Sequence, residues 1–268
     1  MLFVTTTFLL LFFLLWLVFL ALEPVIEHLI KRAAHRTAAF RYRDYLPVAV
    51  LLGAGIAVTF YAGDWFIDIA ERVRADSPQL REIDERTHEW ARFTRTAGST
   101  RFFNTMTIIG TPVGLAAIVL IASIVLFAKK HWRWASYLIF TTGVGGLLNR
   151  LLKSSFERAR PDLAEALRQA SGFSFPSGHA MGSVVCFGAL SYLAMRAIPR
   201  WRWRAAALAF GLTMALSIAS SRIYLGVHWI SDIGAGMCAG LIWVSVTTVA
   251  YETFRRIRMI RALRRVSS

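Results

Sequence analysis

Seven long apolar runs divide this chain of 268 residues, and each is near the roughly 20 residues that an α-helix needs to cross a bilayer core. Hydrophobic residues make up 56% of the sequence, and the mean hydropathy is +0.50. Both values are too high for a soluble domain of this length. The sequence therefore predicts an all-α integral membrane helical bundle. The predicted spans are residues 2–22, 45–62, 104–128, 134–152, 178–197, 205–221 and 231–250.

The chain carries a formal net charge of +15, and the distribution of basic residues indicates membrane topology rather than nucleic-acid binding. Basic clusters recur in alternate loops and in the C-terminal tail, whereas segment 63–103 also contains many acidic residues. Because Lys and Arg are enriched in cytoplasmic loops, we expect segment 63–103 and loop 153–177 to face outward and the tail to face the cytoplasm. The basic clusters are Lys31, Arg32, Arg36, Arg41 and Arg43; Lys129, Lys130 and Arg133; Arg196, Arg200, Arg202 and Arg204; and Arg255, Arg256, Arg258, Arg261, Arg264 and Arg265.

The apolar runs and charges divide the chain into three parts. Residues 1–44 are predicted to contain an extra N-terminal transmembrane helix, retained because no convincing cleavage site follows it, and a basic cytoplasmic segment. Residues 45–250 are predicted to form one bundle, in which segment 63–103 forms short amphipathic helices along the outer interface. Residues 251–268 are predicted to be a basic cytoplasmic tail.

The first of three polar stretches runs from Lys153 to Arg160 and Pro161, directly after the fourth predicted span. If a helix continues through this stretch, Lys153 and Arg160 lie on one of its faces. Arginine can form two parallel hydrogen bonds to phosphate oxygens, and lysine adds a point charge, so the two residues could together hold a phosphate group. Both side chains could instead simply extend to the membrane interface. Arg158 is a third candidate, which helical spacing turns away from the other two.

The second stretch, Pro176-Ser177-Gly178-His179, stands immediately before the fifth predicted span. Ser177 can cap that helix, and Gly178 allows the backbone to approach a ligand closely. The unpaired N–H groups at a helix N-terminus favour an anion. His179, in the first turn, could donate a proton to a departing oxygen. A simple helix cap beside an incidental histidine is the alternative.

The third stretch joins Arg222, at the end of the sixth predicted span, to His228 and Asp232 around the start of the seventh. The i, i+4 spacing of His228 and Asp232 lets the carboxylate accept a hydrogen bond from one ring nitrogen and leaves the other nitrogen free to attack. Ionisable groups at membrane depth are costly and are commonly functional. The alternative is a polar pair that only locks neighbouring helices.

The two histidines and the aspartate could together ligate zinc. The neighbouring Lys and Arg residues, however, would repel a metal ion and favour an anion. No Asp-rich cluster suited to magnesium is present in these loops. The sequence therefore predicts metal-independent chemistry without a cofactor.

Together, the three stretches resemble the signature of the type 2 phosphatidic acid phosphatase superfamily, the lipid phosphate phosphatases. That signature has Lys, six residues and Arg-Pro; then Pro-Ser-Gly-His; then Ser-Arg, five residues, His, three residues and Asp. This chain matches all three parts without a gap. The resemblance covers roughly residues 45–250, and residues 84–113 also look like the lead-in of bacterial members.

The resemblance implies a six-helix phosphatase core, related to vanadium-dependent haloperoxidases, that needs no metal for phosphatase action. It implies that His228 is the nucleophile and forms a phosphohistidine, that Asp232 orients it, and that His179 protonates the leaving group. The residues that it implies for holding the phosphate oxygens are Lys153, Arg160, Ser177, Gly178 and Arg222.

We therefore expect a bacterial-type enzyme of the cytoplasmic membrane that hydrolyses a lipid phosphate or pyrophosphate at the outer leaflet. Undecaprenyl pyrophosphate and phosphatidylglycerol phosphate are the preferred substrates, and phosphatidic acid and lipid A phosphates are further candidates. The alternatives are a lipid phosphotransferase with the same site and a catalytically inactive scaffold or transporter. The sequence carries no signal of the oligomeric state and no reason to expect a nucleic-acid partner.

Overall fold

The computed structural model describes residues 46–162, 164 and 166–266 and, nearer the N-terminus, residues 6, 9–22, 24 and 28. Within these ranges all regular secondary structure is α-helical, which confirms the predicted all-α class. The helices are α1 (Leu9–Leu22), α2 (Leu46–Arg74), α3 (Pro78–Phe93), α4 (Ala97–Ile109), α5 (Pro112–Ala128), α6 (Trp132–Phe156), α7 (Gly178–Ala197), α8 (Trp201–Tyr224) and α9 (Ile230–Val266).

Three helices of the described chain are each long and apolar enough to cross a membrane, namely α7, α8 and the Ile230–Met259 part of α9. The pair α4 and α5 meets the same criterion only when the two helices are taken together. The apolar runs predicted as the first, second and fourth spans correspond to α1, α2 and α6. The last helix continues past residue 250 to Val266, so the basic tail extends α9 over most of its length.

The prediction of one continuous span at residues 104–128 was wrong, because two helices with a bend of 60° between them occupy this region. The Thr111 side chain accepts a hydrogen bond from the N–H of Gly114 at 3.0 Å and so caps α5. Pro112 suits the first turn of α5 because no N–H donor is needed there. The break places Gly110 against α7 and α8, close to the functional end of the bundle.

The central helix of the bundle is α7, which packs against α5, α6, α8 and α9. Its contact with α9 is close: a Cβ atom added at Gly236 would lie 3.1 Å from the Cβ of Ala180. The long helix α9 packs in turn against α2. The helices therefore enclose the N-terminal end of α7, where the second polar stretch lies.

Segment 63–103 is largely helical and contains the end of α2, all of α3 and the start of α4. The second predicted span ended at residue 62, but α2 continues to Arg74. The helix α3 packs against α8 and α9 and buries Asp84 and Ala91 there, whereas its Trp90 is exposed. A buried carboxylate on this helix was not expected from the sequence.

The extra N-terminal helix α1 contacts the start of α8. The indole N–H of Trp201 donates to the carbonyl of Phe19 at 3.0 Å, and that of Trp16 donates to the carbonyl of Arg202 at 2.9 Å. The basic segment predicted to follow this helix, residues 23–44, lies outside the described residues except for residues 24 and 28.

Candidate active site

Lys153 and Arg160 do not share a helical face, so this part of the prediction was wrong. The helix α6 ends at Phe156 because Glu157 adopts a left-handed conformation, with φ of 48°, that turns the chain away. The following loop nevertheless brings the two cations together. The Nζ atom of Lys153 donates to the carbonyl of Phe173 at 2.7 Å, and Nη2 of Arg160 donates to the same carbonyl at 3.2 Å.

The Arg160 side chain is held on all three guanidinium nitrogens. Its Nε donates to the carbonyl of Gly172 at 2.9 Å, and its Nη2 also donates to the carbonyl of Ser171 at 3.1 Å. Its Nη1 donates to the carbonyl of Val227 at 2.8 Å and lies 3.1 Å from Nε2 of His228. The loop after α6 and the loop before α9 therefore fix the guanidinium beside the histidine.

His228 and Asp232 form the predicted hydrogen-bonded pair at the junction of α8 and α9. The Nδ1 atom of His228 lies 3.2 Å from Oδ2 of Asp232, and the two side chains are 2% and 0% exposed. The backbone N–H of Trp229 donates to the same oxygen at 3.0 Å. Because an ionised carboxylate only accepts hydrogen bonds, Nδ1 carries the hydrogen. The unprotonated Nε2 then faces Arg160 and the cavity.

The surroundings of His228 keep its ring neutral. Burial lowers the pKa of His228 to about 4, although the hydrogen bond with Asp232 opposes this change. The positive charges of Arg160 and Arg222 lower the pKa further. At neutral pH the imidazole is therefore uncharged, which is the state in which a ring nitrogen can attack.

Two residues that sequence reasoning did not assign complete the surroundings of Asp232. Ser174, which is fully buried, donates to Oδ2 of Asp232 and lies 3.2 Å from Nδ1 of His228. Arg158 donates to Oδ1 of Asp232 at 2.8 Å. Ser174 belongs to no motif and had no sequence signal. Arg158 was considered only for phosphate binding, whereas its guanidinium binds the carboxylate.

His179 and Arg222 approach the pair from α7 and α8. Arg222 is anchored by Thr107 of α4, whose hydroxyl accepts a hydrogen bond from Nη1. The Nε2 atom of His179 and the Nε atom of Arg222 are buried and have no hydrogen-bond partner among the described residues. Because buried polar atoms are rarely left unpaired, these two nitrogens are suited to contact a bound group.

The N-terminus of α7 completes the site. Ser177 caps the helix as predicted, since its hydroxyl accepts a hydrogen bond from the N–H of Ala180 at 3.5 Å. Its own N–H donates to the carbonyl of Asp232 at 3.0 Å, which ties α7 to α9. Gly178 lies beside Lys153, because a Cβ atom added there would be 3.8 Å from Cε of the lysine.

A cavity of about 1050 Å³ joins these groups. Its wall continues away from them along apolar side chains of α5 and α6, among them Leu115, Val119 and Leu147. Of the residues that the structure describes, no acidic side chain lines this cavity. The cavity therefore combines a cationic end, which attracts an anion, with an apolar extension. The predicted site residues on its wall are Lys153, Arg160, Gly178, His179, Arg222 and His228, and those behind the wall are Ser177 and Asp232.

Two histidines and several Lys and Arg side chains face one cavity of this helical membrane bundle, an arrangement suited to bind and transfer a phosphate group and typical of an integral membrane phosphatase. The chain belongs to the PAP2 superfamily, as its motifs predicted, and the family model matches residues 134–256. It is 31% identical over 145 residues to phosphatidylglycerophosphatase B of Bacillus subtilis, a match that covers 54% of this chain and 70% of that protein.

Two further similarities agree with this family. The chain is 35% identical over 91 residues to the undecaprenyl-diphosphatase of Sulfolobus acidocaldarius, covering 34% of this chain and 39% of that one. The crystal structure of a transmembrane PAP2-type phosphatidylglycerolphosphate phosphatase from Bacillus subtilis superimposes with a TM-score of 0.68 at 25% identity, over 73% of this chain and 96% of that chain. The predicted class of membrane phosphatase is therefore confirmed.

Proposed function

We infer that this protein hydrolyses a lipid phosphate or pyrophosphate at the outer leaflet of a bacterial-type cytoplasmic membrane. The observation that carries this proposal is the cavity that joins two histidines and five basic side chains, among them Lys153, Arg160 and Arg222, to an apolar wall between α5 and α6. A lipid headgroup fits the cationic end, and the lipid chain fits the apolar extension. Undecaprenyl pyrophosphate and phosphatidylglycerol phosphate are the preferred substrates, since relatives are named for each of them.

The substrate phosphate binds between Lys153, Arg160, Arg222 and the first turn of α7. A phosphate oxygen takes the place of His228 as the acceptor from Nη1 of Arg160, which frees the lone pair on Nε2. Binding groups fixed in this way stabilise the charge that develops during phosphoryl transfer. The main contribution of these residues is therefore positioning and charge.

The reaction proceeds in two steps through a phosphohistidine. The Nε2 atom of His228 attacks phosphorus while the bond to the leaving oxygen breaks, and His179 gives that oxygen a proton. His179 then removes a proton from water as the water oxygen attacks the phosphohistidine. Phosphate leaves, and His228 returns to its neutral state with its Nδ1 hydrogen still directed at Asp232.

The experiment that tests this function measures phosphate release by purified protein in detergent with EDTA present. The substrates are undecaprenyl pyrophosphate, phosphatidylglycerol phosphate, phosphatidic acid and lipid A, and His228→Ala is the control. Release that disappears in the control supports the proposal, and the order of the rates identifies the substrate. No release from any lipid by folded protein contradicts it. Loss of activity in EDTA that added metal restores contradicts the metal-independent reaction.

The phosphotransferase alternative uses the same residues and is separated by its product. With an acceptor lipid present, a hydrolase still releases inorganic phosphate, whereas a transferase forms a newly phosphorylated lipid. An inactive scaffold forms neither product.

The proposed orientation has its own test in cells. A cysteine introduced at the exposed Ala164, in a cysteine-free background, is expected to react with an impermeant reagent added outside. A cysteine at the exposed Lys129, in the loop between α5 and α6, is the matched control and is expected to react only after permeabilisation. The reverse pattern would place the site on the cytoplasmic side.

A further inference from the structure

Asp84 lies on α3, outside the three motif stretches, and is only 1% exposed. Ser231 binds its Oδ1 twice, through its backbone N–H at 3.0 Å and its hydroxyl at 2.8 Å. The Nη2 atom of Arg158 donates to Oδ2 of Asp84 at 2.7 Å. Burial of a carboxylate is costly unless charged and hydrogen-bonding partners accompany it, and Arg158 and Ser231 are those partners.

Arg158 connects Asp84 to the active site. Its Nη2 binds Asp84 while its Nη1 donates to Oδ1 of Asp232 at 2.8 Å, so one guanidinium bridges two buried carboxylates. The same Nη1 also donates to the hydroxyl of Ser231 at 2.7 Å. Arg158 is 18% exposed, so solvent screens this bridge only weakly. A continuous chain of hydrogen bonds therefore runs from α3 to the carboxylate behind His228.

We propose that Asp84 is a positioning residue that acts through Arg158 to set the orientation and the effective charge of Asp232. This role rests on the proposed function, in which His228 attacks phosphorus with Asp232 behind it. Asp84 does not line the cavity of about 1050 Å³ that would hold the substrate. Its effect on the reaction therefore passes through Arg158 and Asp232.

The balance of charges predicts a specific effect of Asp84 on the reaction. When Nε2 of His228 bonds to phosphorus, the ring keeps its Nδ1 hydrogen and becomes positively charged. Asp84, Arg158 and Asp232 together carry one net negative charge, which stabilises that cation. Without the charge of Asp84, Arg158 cancels the charge of Asp232, and the positively charged ring loses this stabilisation.

Asp84 and Arg158 have opposite charges, and this separates an electrostatic role from a structural one. Removing the negative charge of Asp84 makes His228 harder to protonate, whereas removing the positive charge of Arg158 makes it easier. A general loss of packing would move both variants in the same direction. The other charged or titratable groups that face His228 stay unchanged in both variants; they are Arg160 from the loop after α6, His179 from α7, Arg222 from α8 and Asp232 from α9.

The test measures kcat and KM of Asp84→Asn and Arg158→Gln for a short-chain, water-soluble lipid phosphate between about pH 3.5 and about pH 7. Asp84→Asn is expected to lower kcat about tenfold while KM changes less than about threefold. It is also expected to move the acidic limb of kcat/KM to lower pH, and Arg158→Gln is expected to move that limb to higher pH. The matched control is Glu82→Gln, which removes an exposed carboxylate of α3 paired with Arg86 and leaves both quantities unchanged.

The role of Asp84 would be overturned if the acidic limb of kcat/KM moved in the same direction in both variants. It would also be overturned if the limb moved in neither variant. If Asp84→Asn does not fold, Asp84→Ser, which also removes the negative charge, takes its place in the same measurement. The wild-type protein in the same assay tests the proposed function separately. No phosphate release by wild type refutes the phosphatase, whereas active wild type with unchanged variants refutes only the positioning role.

Discussion

Replacing Asp232 by asparagine removes the negative charge behind His228 while the size of the side chain stays almost the same. In the native protein, Oδ2 of Asp232 lies 3.2 Å from Nδ1 of His228 and orients the ring. The variant is expected to fold, because Arg158 keeps its ion pair with Asp84 at 2.7 Å. The expected defect is in the chemical step.

The size of this defect follows from the geometry of the pair. Two unit charges about 4 Å apart at an effective dielectric constant of about 20 interact by about 4 kcal/mol. This is the stabilisation that the positively charged ring loses when the carboxylate becomes an amide. Since about 1.4 kcal/mol corresponds to a tenfold change in rate, kcat is expected to fall about 1000-fold.

The assay is phosphate release at saturating and limiting lipid, which separates kcat from KM. Asp232 is fully buried behind the cavity wall, so KM is expected to change less than about threefold. The matched control is Asp68→Asn, which removes an exposed carboxylate paired with Arg72 and is expected to behave as wild type. A loss in kcat below about tenfold, or a loss confined to KM, would refute the assignment of Asp232 as the residue that orients the nucleophile.

Three further predictions concern the same site. His228 must be neutral to attack, and its pKa is lowered to about 4. After correction for ionisation of the substrate, kcat/KM is therefore expected to persist at mildly acidic pH and to fall as the pH drops through that value. A fall in kcat/KM near the ordinary histidine pKa would contradict this. Ser174→Ala removes a hydrogen bond to Asp232 and is expected to lower kcat about tenfold with KM unchanged, as measured by phosphate release; a loss confined to KM would place Ser174 in substrate binding. In Gly178→Ala the new Cβ would lie 2.8 Å from Oδ1 of Asn149, so kcat/KM is expected to fall at least about tenfold. Wild-type rates in this variant would argue against phosphate binding at the start of α7.

Much of the site could be predicted because its geometry is local. The i, i+4 spacing of His228 and Asp232 and the cap at Ser177 each lie within about one helical turn, where the sequence alone determines which side chains meet. The apolar runs predicted most helices because each run is a continuous local signal, and its length matches the thickness of the bilayer core. The bend before α5 also had a local signal in Thr111 and Pro112, but the continuous apolar run outweighed it.

The features that could not be predicted depend on an uncommon backbone conformation or on distant contacts. Glu157 adopts a left-handed conformation that residues with a side chain seldom occupy, so nothing local indicated where α6 ends. That turn also determines the direction of Arg158. Asp84 and Asp232 are far apart in the chain, and only tertiary packing of α3 against α9 brings them to one guanidinium.

The most direct test of the mechanism is to locate the phosphoryl group on the enzyme. Purified protein would be mixed with lipid carrying radiolabelled phosphate, quenched in alkali within one turnover, digested and analysed by mass spectrometry. We expect an alkali-stable, acid-labile phosphoryl group on His228 that is absent from His228→Ala, whose phosphate release falls to background. A phosphoryl group on another residue, or wild-type rates of phosphate release by His228→Ala, would contradict it.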